Sequence, residues 1–119
     1  MEPTTNTGPL ERIVSQPRRV QLSRAKGWRM PENTRKVDRS TRFGNWHRVG
    51  VAYDARPIPE TAEQACAQFA EDLESMQRDD PELFRAEWIE PLRGRNLSCW
   101  CALDKPCHAD VLIRLANID

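Results

Sequence analysis

No stretch of this 119-residue chain approaches the ~18 consecutive apolar residues that a membrane-spanning helix needs, the longest relevant run being Val49-Gly50-Val51-Ala52-Tyr53. Net charge is lacking as well. Lys plus Arg and Asp plus Glu both count 18, which argues against a uniformly basic nucleic-acid coat or an acidic tail protein. The opening Met-Glu-Pro-Thr-Thr-Asn-Thr-Gly-Pro has none of the basic-then-apolar order of a secretory signal. The expectation is a soluble, cytoplasmic protein whose four cysteines are thiols first. Internal repeats and low-complexity segments are also missing.

What is present suffices for one folded unit. At roughly one domain per 100 to 200 residues the length holds a single domain. With 39% hydrophobic residues, 30% charged and four Trp, the chain is polar but too apolar to be disordered throughout. The zero net charge hides an asymmetry: residues 1–60 carry 12 Lys/Arg against 6 Asp/Glu, and residues 61–119 carry the reverse. Between Arg18 and Arg48 ten basic residues face only Glu32 and Asp38. That segment calls for anions, supplied either by the acidic second half or by a phosphate-bearing ligand held in bidentate guanidinium forks.

Residues 1–17 have little apolar periodicity and read as a flexible tail, leaving 18–119 as a single α/β domain. Alternation predicts short strands over Arg19–Ser23 and Arg35–Asp38. A helix is predicted from Thr61, with Gln64 completing a capping box and Ala62, Ala65, Phe69, Leu73 and Met76 at helical spacing. Cys66 falls on or beside that stripe and reads as a small core residue without chemistry. A second helix opens with Pro81, buries Leu83, Phe84 and Trp88, and stops at Pro91. In the last quarter a strand carries Cys99 and Cys101 on one face, and Pro106 introduces a helix with Val111, Leu112 and Leu115 inward. Cys107 and His108 then sit at that helix's N-terminus, where amides and macrodipole favour negative charge and should lower the Cys107 pKa.

Three readings of this cluster stand side by side. Cys99, Cys101, Cys107 and His108 could be the four ligands of a zinc ion, although C-x-C with an adjacent Cys-His pair is cramped beside ordinary zinc knuckles. Cys107 could be a thiolate nucleophile, with His108 or the more distant His47 as base. Or the thiols are buried and inert and His108 caps the helix.

Three segments carry a resemblance: Lys26-Gly27-Trp28-Arg29-Met30-Pro31, Val37 to Asn45, and Leu92 to Cys101 leading into Cys107-His108-Ala109-Asp110-Val111-Leu112. In this order they resemble the domain-of-unknown-function family 4326 of bacteria and their phages, over about Arg18 to Asn117. The resemblance implies a bacterial or phage-infected cytoplasm and supplies no activity. Asp38 and Ser40 flank Arg39 where the family commonly has Gly and Pro, and Trp46 follows Asn45 where Pro is common. The missing prolines loosen that loop.

Together these readings give a central sheet of three or more strands with flanking helices and a ligand site beyond the strands' carboxyl ends. Arg29, Arg39 and Arg42 are the anion-binding candidates; Gly44 would allow close backbone approach, and Asn45 would cap a turn or read a base edge. The leading expectation is a nucleotide- or phosphate-binding domain, an enzyme if Cys107 and His108 act as a thiolate or metal centre. The alternative is a non-catalytic nucleic-acid or protein-binding module with a zinc staple, its basic segment tracking phosphates and Trp28 and Trp46 stacking on bases. The sequence does not set the oligomeric state.

Overall fold

The computed structural model describes residues 16–118, so nearly all of the expected tail lies outside the described residues. The strands are β1 (Arg19–Gln21), β2 (Thr34–Lys36) and β3 (Asn96–Cys99). The helices are α1 (Ala62–Asp79), α2 (Pro81–Phe84) and α3 (His108–Asn117), with one π-helical turn (Arg85–Ile89) continuing α2.

β3 lies in the middle and pairs parallel with both neighbours, Arg19–Gln21 opposite Leu97–Cys99 and Thr34–Lys36 opposite Asn96–Ser98. Each outer ladder runs one residue further, Leu22 N–H donating to Cys99 O at 2.7 Å and Val37 N–H to Ser98 O at 2.9 Å. The two outer strands are therefore shorter than or shifted from the expected Arg19–Ser23 and Arg35–Asp38. A central parallel strand is covered on both faces, so its residues need not alternate. Leu97, Ser98 and Cys99 are all buried, and Ser98 Oγ contacts Met30 Sδ at 3.3 Å from the loop that crosses between β1 and β2. β3 ends at Cys99, so Cys101 is not a strand residue as expected but belongs to the turn beyond it.

α1 starts as its sequence dictates. Thr61 Oγ accepts from Gln64 N–H at 3.1 Å, while Gln64 Oε1 reaches one residue past the cap to the N–H of Glu60 at 2.6 Å. Ala65, Phe69 and Leu73 form its inward stripe, but Ala62 and Met76 at the ends are exposed. Pro81 opens α2 with Asp80 as its cap. Leu83 is exposed and Trp88 half-buried, against the expectation that both are buried: five residues apart, they point to different faces of the helix, and the inward positions are Phe84 and Ile89. The core packs Phe43, Phe69, Leu73, Phe84, Leu92, Leu97 and Leu112 between the helices and the sheet, each such side chain contributing about 1.5–3 kcal/mol by leaving water. Among the described residues no helix is long and apolar enough to cross a membrane.

Because all three strands run the same way, their carboxyl ends share one edge. The segments following Gln21, Lys36 and Cys99 all leave from it.

Candidate functional site

At that edge β3 hands the chain through a tight turn to α3, and the turn gathers three sulfurs. The Sγ atoms of Cys99, Cys101 and Cys107 all lie within 4.8 Å of one another, so they could hold a metal ion. Cys99 and Cys107 are buried, with Sγ atoms 2.9 Å apart, and Cys101 is half-buried. Arg19 of β1 fastens the turn: its guanidinium donates to the carbonyls of Ala102 at 3.0 Å and Leu103 at 2.7 Å and pairs with Asp110 at 2.9 Å.

Cys107 is the N-cap of α3 and His108 its first residue. His108 is buried, with Nε2 2.5 Å from the carbonyl oxygen of Val37. A carbonyl only accepts, so Nε2 carries the proton, and burial holds the ring below the ordinary histidine value and neutral. That leaves Nδ1 as the open nitrogen, 3.6 Å from Cys107 Sγ. Zinc-bound histidines are oriented in this way, the second ring nitrogen donating to a carbonyl. The compact group nevertheless consists of the three sulfurs without His108.

The charge within the trio does not sit where the helix N-terminus alone would place it. Hydrogen bonds from Cys107 and Cys99, helped by His108 and Arg19, pull the Cys101 thiol down. Its hydrogen bond to Cys101 in turn raises Cys99. Cys107 is raised as well, by Cys101 first, even though the N–H of Ala109 draws it down as a helix start should. The expected depression of Cys107 is not found: within the trio the lowering falls on Cys101, half-buried and near the charge of Arg19. Tetrahedral zinc, with Zn–S bonds of about 2.3 Å, would space its sulfurs about 3.8 Å apart. The trio fits that span, with Cys99 and Cys107 moving apart.

A cleft of about 440 Å³ opens over the cluster. Its walls include the three cysteines and His108, together with Arg39, Asn45 and Arg48 from the segment after β2. Of the residues singled out in the sequence, Arg39, Asn45, Cys99, Cys101, Cys107 and His108 therefore share one cavity. Arg39 spends part of its fork on the loop itself, Nε donating to Asn45 O at 3.1 Å and Nη2 to His47 O at 3.4 Å. Arg48 is exposed and its guanidinium has no hydrogen bond among the described residues. Asn45 is buried and used at both ends: Nδ2 donates to Ala65 O at 3.1 Å, and Oδ1 accepts the His47 N–H at 2.9 Å. It is a loop clamp, which is the turn role.

Arg29, Arg42 and Gly44 are not on the cleft's walls. Arg29 is exposed in the loop after β1. Arg42 lies over the rings of Phe43 at 4.2 Å and Trp88 at 5.5 Å and donates to Glu87 O. A Cβ on Gly44 would sit 2.5 Å from Arg39 Cα and 2.8 Å from Asp38 O, so the close approach it permits is of the loop to itself. His47, the distant base candidate, is wholly buried and bonds Asp72 through Nε2 at 2.6 Å, away from the cleft. Trp46 donates to the same carboxylate at 2.8 Å and stacks edge-on with Phe69, so it is a core residue.

Among the wall residues that carried no functional assignment from the sequence are Cys66, Arg48, Asp38 and Trp100. Cys66 projects from α1 into the cleft, outside the sulfur trio, with its thiol pushed up to about 11 by burial. Arg48, Asp38 and Trp100 line it as well. The position of Trp100 between two cysteines was the one available signal; the other three depend on long-range packing.

A model of the family described as a domain of unknown function (DUF4326) matches residues 20–118, and the chain belongs to that family. No curated protein and no solved structure matches it.

Proposed function

We propose that this member of the family binds a phosphate-bearing ligand of the nucleotide class in the cleft, above a zinc ion held by Cys99, Cys101 and Cys107. The observation that carries this is the shared cavity: Arg39 and Arg48 line the same cleft as the sulfur trio. Guanidinium groups at its wall would neutralise phosphate oxygens. Ligands of open parallel sheets sit beyond the strands' carboxyl ends, which is where the cleft lies. Three soft thiolates favour zinc over magnesium or calcium.

The test is calorimetric binding of adenosine 5′-monophosphate to zinc-loaded protein. Binding that weakens in Arg39→Ala/Arg48→Ala supports the reading; equal affinity in both proteins overturns it. Varying the salt separates a closed pocket from a surface tracking a polynucleotide, because only the latter gives a steep slope.

A second reading has its own observation. His108 ties α3 to Val37 while Cys99 and Cys107 join α3 to β3, so a zinc ion there would staple the sheet to the last helix. In that case a chelator unfolds the domain and no small phosphate ligand binds.

A further inference from the structure

We infer that Trp100 is the platform on which the base of a nucleotide ligand stacks, so that the cleft recognises a nucleobase as well as a phosphate. This rests on the phosphate-binding reading above.

Trp100 follows the last strand residue and lies on the cleft wall, 40% exposed, while its neighbour Cys99 is 1% exposed. In a domain with a modest core, a tryptophan left this open is unusual, because its ring offers more apolar surface than any other side chain. The other tryptophans do not serve the cleft. Trp46 and Trp88 pack against the core, and Trp28 is not on the cleft wall.

The ring is also held. Its Nε1–H donates to Asp38 Oδ2 at 2.8 Å. Asp38 is itself fixed, Oδ1 accepting from the N–H of Ser40 at 3.1 Å and from its hydroxyl at 2.5 Å. On the ring, the Arg24 guanidinium stands 4.4 Å from the centroid. Edge and one face are thus restrained, and the residue lines the cavity. A rigid aromatic surface loses little conformational freedom when a flat ligand settles on it. Every base has a π-face, so such a platform accepts any of them. The hydrogen bonds that Asp38 already makes leave it ill placed to read a base edge, and little discrimination between adenine and guanine is expected.

The experiment compares adenosine 5′-monophosphate, ribose 5-phosphate and adenosine by calorimetry on the full chain. In the wild type, the monophosphate should bind roughly 5- to 150-fold more tightly than ribose 5-phosphate, the range that loss of one stacked base spans. Trp100→Leu should erase that advantage and leave ribose 5-phosphate unchanged, and Trp100→Phe should keep most of it. The wild-type comparison needs no variant, so it decides even if Trp100→Leu folds poorly. Equal affinities for the monophosphate and ribose 5-phosphate overturn the platform and leave the phosphate reading standing. Adenosine binding as tightly as its monophosphate, with loss in Trp100→Leu, supports the platform and sinks the phosphate reading. If none of the three binds, both fall.

Discussion

The imidazole of His108 reaches from the first turn of α3 to the carbonyl of Val37, Nε2 to oxygen 2.5 Å, across 71 positions of sequence. The bond locks the last helix to the segment that leaves β2, and it decides which ring nitrogen faces Cys107. It thus joins the helix that carries Cys107 to the segment that leads into Arg39.

Removing it should therefore be costly. His108→Ala leaves the Val37 carbonyl buried without its partner, a loss of about 1–3 kcal/mol, and urea denaturation should show a lower midpoint. His108→Gln, whose amide can still donate, should recover part of the loss. A midpoint unchanged in His108→Ala would show that the bond carries no net stability.

Arg19 performs a comparable service for the turn between Cys99 and Cys107. Its side chain is 7% exposed and donates to two turn carbonyls and to Asp110. Hydrogen bonds from a charged donor contribute about 1.5–3 kcal/mol, with Asp110 adding little because it is exposed. Arg19→Ala should lower stability by about that amount and speed hydrogen exchange in residues 100–107. Exchange confined to its wild-type rate would show that the sulfur cluster alone holds the turn.

These long-range ties explain which parts of the site were legible in sequence. Thr61 with Gln64, Pro81 after Asp80, and the helix opening at Cys107-His108 are local patterns, and each element starts where they say. The alternation that put Cys99 and Cys101 on one strand face brought them together correctly, although the strand stops between them. Arg42 and Arg48 look equivalent in a basic run. Only the packing of Phe43 and Trp88 under Arg42, and the route of the loop after His47, send one to the core's rim and the other to the cleft. Cys66 packs partly against the core and outside the sulfur trio, as its place beside the α1 stripe implied, but its outlook onto the cleft depends on what packs beside α1.

Acid should weaken the tie between α1 and the loop that carries Trp46 and His47. Burial alone would raise the Asp72 carboxyl, but hydrogen bonds from His47 and Trp46 and the charge of Arg56 outweigh it and hold the group below its ordinary 3.8. A carboxyl depressed in the folded state stabilises it fully above the unfolded value and loses that contribution as the pH falls through the folded one. Stability should thus decline below about pH 4, and Asp72→Asn should flatten that decline. An identical acid profile in the variant would assign the loss to other carboxyls, Asp38 first, since it is lowered as well.

The proposed zinc site is tested by a contrast between cysteines that share a cavity. Cys66 borders the cleft but stands outside the three-sulfur group, whereas Cys101 belongs to it. Cobalt substituted into the protein should show thiolate-to-metal absorption that Cys101→Ser reduces and Cys66→Ser preserves. Absorption lost equally in both would place Cys66 among the ligands and require α1 to move toward α3.

Arg42 and Arg48 supply the sharpest separation, because they lie six residues apart and do different things. Arg42 stacks over Phe43 and Trp88 and bonds the Glu87 carbonyl at the rim of the core. An exposed cation over an aromatic ring contributes about 0.5–1 kcal/mol, and its methylene stem covers apolar surface besides. Arg42→Ala should therefore lower the urea midpoint and leave adenosine 5′-monophosphate binding untouched. Arg48 has no hydrogen-bonding partner for its guanidinium among the described residues and faces the cleft. Its charge is uncompensated until an anion arrives, so Arg48→Ala should leave stability unchanged and weaken binding. The opposite pattern, with binding lost in Arg42→Ala and stability lost in Arg48→Ala, would move the anion site out of the cleft and onto the far side of the loop.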